Sequence, residues 1–178
     1  MFLKDQYTKE IKPKLMTELA ITNPMAVPRL LKVVLNVGAG EAVANKNAIE
    51  KIQEQMTLIA GQKAVVTKAK KSVSAFKIRM GQPIGVKVTL RGREMYSFLE
   101  KLVTIVLPRL RDFRGIADSC VDQHGNLNLG FSEQTIFPEI EFDKIDKIRG
   151  LQVTVVTNAT SKTQGLKLFT LMGVPFKK

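Results

Sequence analysis

The sequence predicts an α+β fold: a single domain over residues 1–178, with a mainly antiparallel sheet, helices packed on one side, and a protruding basic loop. Some segments alternate apolar residues with the period of a half-buried strand, whereas others space them as an amphipathic helix does. The order is helix, strand, helix, strands, helix, strands, helix, without the strict alternation of a doubly wound parallel sheet. A chain of 178 residues, 44% of them hydrophobic, can bury a core of its own.

The amino-terminal segment predicts a helix over residues 3–21. Its apolar residues recur at every fourth position on one face: Tyr7, Ile11, Leu15 and Leu19. Pro13 should kink this helix or begin a new first turn, because proline has no backbone N–H to donate. The two prolines of residues 23–28 (NPMAVP) then predict a linker.

Three strands are predicted in the first half of the chain. Residues 29–37 (RLLKVVLNV) form the first, with Leu31, Val33, Leu35 and Val37 on one face and Leu30, Lys32, Val34 and Asn36 on the other. Residues 64–68 form a short strand, and residues 84–91 (IGVKVTLR) alternate clearly. The last strand has an apolar face of Val86, Val88 and Leu90, and a small, basic face of Gly85, Lys87, Thr89 and Arg91. That second face suits a sheet surface that meets a partner.

Two amphipathic helices flank these strands. The first, over residues 46–60, presents Ile49, Ile52, Met56 and Ile59, with Asn45 as its N-cap and Gly61 as its stop. The second, over residues 94–111, has a broad apolar stripe and should bend or end near Pro108.

The carboxyl-terminal part adds two strands and a helix. A turn at residues 122–126 precedes the alternating segment of Leu127, Leu129 and Phe131, and residues 151–156 (LQVTVV) form the last strand. Ser161 and Gln164 predict a capping box for a helix that reaches about Met172.

The distribution of charge favours a polyanionic partner. Between Glu54 and Glu94 there is no acidic residue, although that stretch holds nine lysines and arginines. Residues 1–91 carry 16 basic and 6 acidic side chains, against 12 and 10 in residues 92–178. Because like charges destabilise a compact chain, a one-signed surface of this length indicates binding to nucleic acid.

Signs of enzyme chemistry are few. Residues 38–43 (GAGEAV) imitate a dinucleotide-binding turn, but Val43 replaces the third glycine and Glu41 would face the pyrophosphate, so we expect a glycine-rich strand-to-helix turn. A nucleotide-dependent enzyme remains an alternative built on that segment. His124, the only histidine, lies in a polar turn, and we expect the only cysteine, Cys120, to be a buried small hydrophobic residue. One thiol and one imidazole argue against a metal site, and no cofactor is expected.

The cellular setting is predicted to be the cytosol. A single cysteine cannot form an internal disulfide, which fits a reducing compartment. No run of 18 uncharged apolar residues occurs, so we expect neither a spanning helix nor a secretory signal, and no membrane partner.

The residues available for RNA binding favour contacts to the backbone of a folded RNA. No Trp is present, and Phe76 is the only aromatic residue between Gln55 and Arg93, so base stacking on the sheet should not dominate. Lysines and arginines are accompanied instead by small hydrogen-bonding side chains: Asn36, Gln62, Thr67, Ser72, Ser74 and Thr89. Such a set suits recognition of phosphates, 2′-hydroxyls and shape.

Five stretches then resemble one family. Residues 58–72 (LIAGQKAVVTKAKKS) closely resemble the signature of the bacterial large-subunit ribosomal protein L-five family. Residues 23–30 (NPMAVPRL), 32–38 (KVVLNVG), 85–92 (GVKVTLRG) and 108–115 (PRLRDFRG) are similar to the same family, so that the resemblance covers nearly the whole chain.

The resemblance implies a structural ribosomal protein that is not an enzyme. Such a protein binds 5S ribosomal RNA, helps seat it in the central protuberance beside 23S ribosomal RNA, works in the cytoplasmic ribosome, and is not expected to form homo-oligomers. The positions that match the 5S-facing surface are Lys32, Asn36, Gln62, Lys63, Thr89 and Arg91.

Two further contacts are implied by the resemblance. The basic loop, residues 70–82, matches the part that approaches the elbow of peptidyl-site transfer RNA, through Lys70, Lys71, Ser72, Lys77 and Arg79. We expect this loop to be mobile in the free protein. The acidic segment, residues 134–149, matches the part that touches small-subunit ribosomal protein thirteen in a bridge between subunits, through Glu139, Glu141, Asp143 and Asp146.

Other interpretations stay open from the residues themselves. The acids around the acidic segment, including Glu133, are equally typical of a solvated loop. An RNA chaperone or translational repressor that acts outside the ribosome could use the same basic face.

Overall fold

The computed structural model describes residues 2–43, 45, 47–111, 113–140 and 145–177. Within them, helix α1 runs through Phe2–Gln6, Tyr7–Ile11 and Lys12–Glu18; α2 is Asn47–Ala60, α3 is Gly92–Lys101 and α4 is Lys162–Leu171. The strands are β1 (Leu30–Gly38), β2 (Val65–Lys68), β3 (Pro83–Leu90), β4 (Leu127–Phe131) and β5 (Leu151–Thr157). Each of these elements overlaps a predicted one, with bounds shifted by at most a few residues.

The five strands form one antiparallel sheet in the order β2-β3-β1-β5-β4. The predicted α+β class is therefore confirmed. In each of β1, β3, β4 and β5, buried apolar residues alternate with more exposed ones over most of the strand, as Val33, Leu35 and Val37 do in β1. Leu31, which was assigned to the same face of β1, is exposed at the beginning of that strand. The sheet thus buries mainly one of its faces.

Both prolines inside helices follow a widened turn. The helix is α up to Gln6 and π over Tyr7–Ile11, where the Lys12 N–H donates to the Tyr7 carbonyl, and Pro13 comes next. Likewise α3 continues as a π turn, Leu102–Val106, and a 3₁₀ turn, Leu107–Arg109, that contains Pro108. A proline ring crowds the carbonyl four residues before it, and a wider turn relieves that crowding. The predicted disturbance at both prolines is confirmed, including the end of the second helix.

The chain folds into two compact units. The first comprises residues 1–33, 91–129 and 154–178, and its core includes Leu15, Leu99, Leu102, Leu127 and Phe169, all almost fully buried. In this unit Tyr7 donates a hydrogen bond of 2.9 Å to the Pro28 carbonyl, which fixes the linker of residues 23–28 to α1. Burial raises the pKa of Tyr7 to about 12.

The second unit comprises residues 34–90 and 130–153. Its core packs α2 against the apolar face of the strands, with Ile52, Met56 and Ile59 buried as the helical spacing predicted. The Asn45 side chain accepts from the Asn47 N–H at 3.1 Å, and Gly61 takes a left-handed φ of +68° after the helix ends. The predicted N-cap and stop of α2 are therefore confirmed. Most of the candidate RNA-binding surface lies in this unit.

Candidate nucleic-acid interface

The strands of the second unit approach one another most closely at Gly85. In the antiparallel pairing of β2 with β3, Thr67 lies opposite Gly85 and Val65 lies opposite Lys87. A Cβ atom on Gly85 would come within 2.9 Å of both the Thr67 Oγ1 and the Val37 carbonyl oxygen, and 3.9 Å from the Gly38 Cα. Only glycine fits between these neighbours without moving them, so Gly85 sets how closely the three strands pack.

This register places a row of side chains across three strands. Stepping from Gly85 to Lys87 along β3 corresponds to stepping from Gly38 back to Asn36 along β1, since the strands are antiparallel. Val65, Lys87 and Asn36 therefore lie side by side, and Thr89 follows on the same side of β3. We name this surface the polar sheet face; its members are Asn36, Val65, Thr67, Gly85, Lys87 and Thr89.

The polar sheet face is the side of the sheet that helix α2 does not cover. On the opposite side Val37, Val86 and Val88 are buried, and Val37 lines a small cavity together with Ile52, Met56 and Ile59 of α2. On the polar sheet face, Lys87 and Val65 are exposed, whereas Asn36, Thr67 and Thr89 are half-buried. None of its members is acidic, so the surface offers one cation and several hydrogen-bonding groups to an anionic partner.

The predicted 5S-facing residues divide between the two units. Asn36 and Thr89 are in the polar sheet face, and Gln62 and Lys63 are exposed in the connection between α2 and β2. That connection is fixed at Ala64, whose N–H donates to Thr57 Oγ1 at 3.1 Å and whose carbonyl accepts from the Gln53 side chain at 2.8 Å. The remaining two belong to the first unit: Lys32, half-buried, and Arg91, exposed.

The basic loop has hydrogen bonds of its own. Val73 and Ile78 exchange backbone hydrogen bonds of 2.9 and 3.1 Å around a 3₁₀ turn, Ser74–Phe76. At its base, Ala69 donates to the Gln82 carbonyl at 2.8 Å. The extended segment expected near residues 76–80 is therefore wrong, because a tight turn with Lys77 at a φ of +54° reverses the chain there. That the loop protrudes or moves stays a prediction.

All five residues assigned to the basic loop's contact are exposed. They are Lys70, Lys71, Ser72, Lys77 and Arg79. The Ser72 hydroxyl accepts from the Met80 N–H at 2.9 Å, so this side chain also holds the loop's own backbone. The four cations form no ion pair within the described residues. Their charge is thus available to a phosphate backbone.

A buried amide closes the acidic segment at its base. The Gln134 side chain is 4% exposed, and it donates to the Lys147 carbonyl at 2.9 Å while accepting from the Arg149 N–H at 2.5 Å. Of the acids assigned to the intersubunit bridge, Glu139 is half-buried and Asp146 is exposed, whereas Glu141 and Asp143 lie outside the described residues.

Arg149 connects this segment to the glycine-rich turn after β1. Its side chain is 7% exposed, donates from Nε to Glu41 Oε1 at 2.5 Å, and makes two bonds of 2.9 and 3.0 Å to the Asp146 carboxylate. The hydrogen bonds from Arg149 lower the pKa of Asp146 to about 2. Those from Lys147 and then Arg149 lower the pKa of Glu41. Sequence reasoning missed this cluster, whose only signal was an acid in a turn that imitates a nucleotide site.

The glycine-rich turn is structural, as expected. Gly40–Val43 forms a 3₁₀ turn, and its acid, Glu41, is held by Arg149 and by Lys147 at 2.8 Å. A carboxylate bound in this way occupies the place where a dinucleotide fold would present backbone N–H groups to a pyrophosphate.

The other candidate catalytic residues are not assembled into a site. His124 is exposed, and its backbone N–H donates to Asp122 within the predicted turn. Cys120 is half-buried in a 3₁₀ turn, so its expected full burial is wrong; nothing in its local periodicity marked it as partly exposed. Among the described residues, no cluster of His, Cys, Asp and Glu is placed to hold a metal ion, and no helix is long and apolar enough to cross a membrane.

Comparison with known proteins gives consistent matches along the chain. The family described as ribosomal protein L5 matches residues 23–79, and the family described as the C-terminus of that ribosomal protein matches residues 83–176. Three proteins named large ribosomal subunit protein uL5 are similar to this chain. That of Desulfotalea psychrophila is 56% identical and that of Brevibacillus brevis 54%, each over 99% of this chain and 98% of that protein. That of Prochlorococcus marinus is 51% identical over 100% of this chain and 99% of that protein.

Proposed function

Because this chain belongs to the ribosomal protein L5 family, we propose that it is a structural constituent of the large ribosomal subunit that binds 5S ribosomal RNA. On this proposal it helps to hold that RNA in the central protuberance of the cytoplasmic ribosome, beside 23S ribosomal RNA. The single observation that supports the RNA contact best is the polar sheet face, which is free of acids and is not covered by α2. The relatives are named as ribosomal proteins, and we assign this chain no enzymatic activity.

The polar sheet face offers two kinds of contact to a folded RNA. Lys87, with Lys63 from the neighbouring connection, supplies charge to phosphates, while Asn36, Thr89 and Gln62 supply short-range hydrogen bonds to riboses and base edges. The close strand packing at Gly85 holds these side chains at a fixed spacing before the RNA arrives, which lowers the ordering cost of binding. Charge then sets affinity and the short polar groups set register.

A charge reversal tests this surface. Asn36→Asp puts a negative charge beside Lys87, and we expect the affinity for 5S RNA to fall about 10- to 100-fold, since it repels phosphate and removes an amide donor. Asn23→Asp is the matched control: it makes the same charge change in an exposed linker, where the side-chain oxygen that accepts from Met25 is kept.

The measurement is the fluorescence anisotropy of labelled 5S RNA at several KCl concentrations, with duplex DNA as competitor. With five to seven phosphate contacts, the slope of log affinity against log salt should be roughly −3.5 to −6. Normal binding by Asn36→Asp would show that the face is wrongly assigned. Equal affinity for duplex DNA would reduce the chain to a generic basic protein.

We assign the basic loop to the contact with peptidyl-site transfer RNA. Its unpaired cations support this assignment, which the family resemblance suggested. Replacing Lys70 and Lys71 by Ala should weaken binding of transfer RNA and leave 5S binding unchanged. Loss of 5S binding in that variant would instead make the loop part of the main RNA site.

We assign the acidic segment to a basic protein of the small subunit, namely protein thirteen. The segment's base is held by Gln134 and Arg149, which would present its acids without a large ordering cost on binding. Because Asp146 is bound by Arg149, its contribution to that contact is to position the segment. Glu139→Gln should weaken cross-linking between subunits in whole ribosomes, and unchanged cross-linking would argue against the assignment.

A role as an RNA chaperone or translational repressor would use the same face. Sedimentation of cell extract separates the two, because a structural constituent stays with the large-subunit fraction. Persistent absence from that fraction would favour the chaperone.

A further inference from the structure

The basic loop exposes three large apolar side chains. Phe76 is 72% exposed, Met80 is 74% exposed and Val73 is 40% exposed. They lie within eight residues of chain, in a loop that has four exposed cations and no acid. Single exposed apolar residues are ordinary on a protein surface, whereas a group of them in one short loop marks a site of interaction.

The loop's polar contacts, and not its apolar residues, determine its conformation. Val73 and Ile78 pair through their backbones, Lys77 donates to the Ser74 carbonyl at 3.0 Å, and Ser72 holds the Met80 backbone. Phe76 ends the 3₁₀ turn at the point where the chain reverses, and most of its side chain stays uncovered. The ring is therefore held outward at the turn without packing that explains its presence.

The charge around Phe76 restricts what can cover it. The stretch between Glu54 and Glu94 has no acid, so a basic partner is repelled and an anionic one is attracted. A lipid surface would call for an amphipathic helix, whereas this segment is a tight turn. A nucleotide combines a flat π-face with an adjacent phosphate, and this combination matches an exposed aromatic ring flanked by lysines.

We propose that the basic loop is a base-stacking site in which the Phe76 ring packs on an exposed nucleobase of a folded RNA. In this arrangement Met80 contacts the edge of the base or its ribose, and Lys70, Lys71 and Arg79 contact the neighbouring phosphates. The inference rests on the proposed RNA-binding function and deepens it, since stacking was expected to be unimportant on the sheet. The ligand is an unpaired or terminal base, because bases inside a duplex are already stacked on both faces.

The absence of tryptophan allows a direct test in the full-length protein. Phe76→Trp introduces a single tryptophan whose fluorescence is quenched when a base stacks on it. Met25→Trp is the matched control, because Met25 is 71% exposed and lies in the linker before β1, outside the basic loop. Each variant is titrated with 5S RNA and with a transfer RNA transcript, while anisotropy of the labelled RNA reports binding independently.

The expected result is strong quenching of Phe76→Trp, and little of Met25→Trp, at saturation with one of these RNAs. The Phe76→Ala variant should bind that RNA about 5- to 100-fold more weakly than the unmodified chain, with an unchanged salt dependence, since stacking carries no counterion release. Phe76→Leu should remain weak although it keeps apolar area.

Three outcomes overturn or separate the claims. If both RNAs bind and neither quenches Phe76→Trp more than Met25→Trp, the stacking inference is refuted while the proposed function stands. If neither RNA binds at low salt, the proposed function and the stacking site fall together. If 5S RNA quenches and transfer RNA does not, the stacking site stands and the assignment of the loop to transfer RNA is wrong.

Discussion

Arg149 is expected to contribute more to stability than any other charged residue described in the structure. Its side chain is 7% exposed and it binds two carboxylates, Glu41 and Asp146, from opposite ends of the second unit's sequence. Arg149→Met keeps a long apolar stem in the same space but removes every hydrogen bond of the guanidinium. The two carboxylates then lose their partner.

The size of the effect follows from the acid that Arg149 binds with two hydrogen bonds. A carboxyl pKa lowered from 3.8 to about 2, as in Asp146, corresponds to roughly 2.4 kcal/mol of stabilisation at neutral pH. The Asp146 and Glu41 side chains are 28% and 27% exposed, so water compensates part of the loss at each carboxylate. We therefore expect Arg149→Met to lower the free energy of unfolding by about 2–3 kcal/mol at pH 7.

The dependence on pH identifies the cause. Carboxyl groups whose pKa is lowered by folding stabilise the native state above their unfolded pKa, and that stabilisation is lost as the pH falls through the folded value. The difference between the unmodified chain and Arg149→Met should thus be largest at pH 7 and should shrink between about pH 5 and pH 2.

Urea denaturation followed by far-ultraviolet circular dichroism measures this difference. Lys147→Met is the matched control, since Lys147 also binds Glu41, at 2.8 Å, but is 63% exposed; its loss should cost at most about 1 kcal/mol. A cost for Arg149→Met that is the same at pH 7 and pH 3, or no larger than that of the control, would refute the reasoning.

Three other substitutions test the packing and the charge of the fold by the same urea assay. Gly85→Ala should destabilise the protein by about 1–3 kcal/mol because its Cβ would lie 2.9 Å from Thr67 Oγ1, and adding Thr67→Ala should recover part of that loss; additive costs would mean that the side-chain clash is not the cause. Leu99→Ala should cost about 2–5 kcal/mol, whereas Leu58→Ala, at a site 57% exposed, should cost well under 1 kcal/mol, and similar costs would show that Leu99 is not in the core. Asp146→Asn should lower stability at pH 7 and flatten its loss towards pH 2, so a variant as acid-sensitive as the original chain would contradict the lowered pKa.

Local patterns predicted most of the secondary structure. The alternation of Val33, Leu35 and Val37 and the spacing of Ile52, Met56 and Ile59 both describe how a single element meets the core, and all six residues are buried. Capping was also readable: Ser161 accepts from the Gln164 N–H, although Gln164 returns its bond to the Thr160 N–H and not to that of Ser161. The exact form of a helix near a proline was not readable, because π and 3₁₀ turns differ only in how neighbouring packing distributes the strain.

The candidate RNA surface was predictable in composition and only partly in arrangement. The absence of acids between Glu54 and Glu94 is a property of the chain itself, and it indicated the kind of partner. Which residues stand side by side depends on the register of three strands, and it added Val65 and Lys87 to the row of Asn36. The residue assignments for each RNA and for the protein partner stay predictions.

By itself, the sequence determined the class of fold, one face of each main strand, and the sign of the charge that the protein presents. These depend on residues within one or two turns or strand repeats of each other, where period and composition carry the information. Only the tertiary structure decided that Arg149 binds Glu41, which is 108 positions away, and that Phe76 is held outward from a hydrogen-bonded turn. Contacts between distant segments follow from how the whole core packs, and no local period of the sequence contains them.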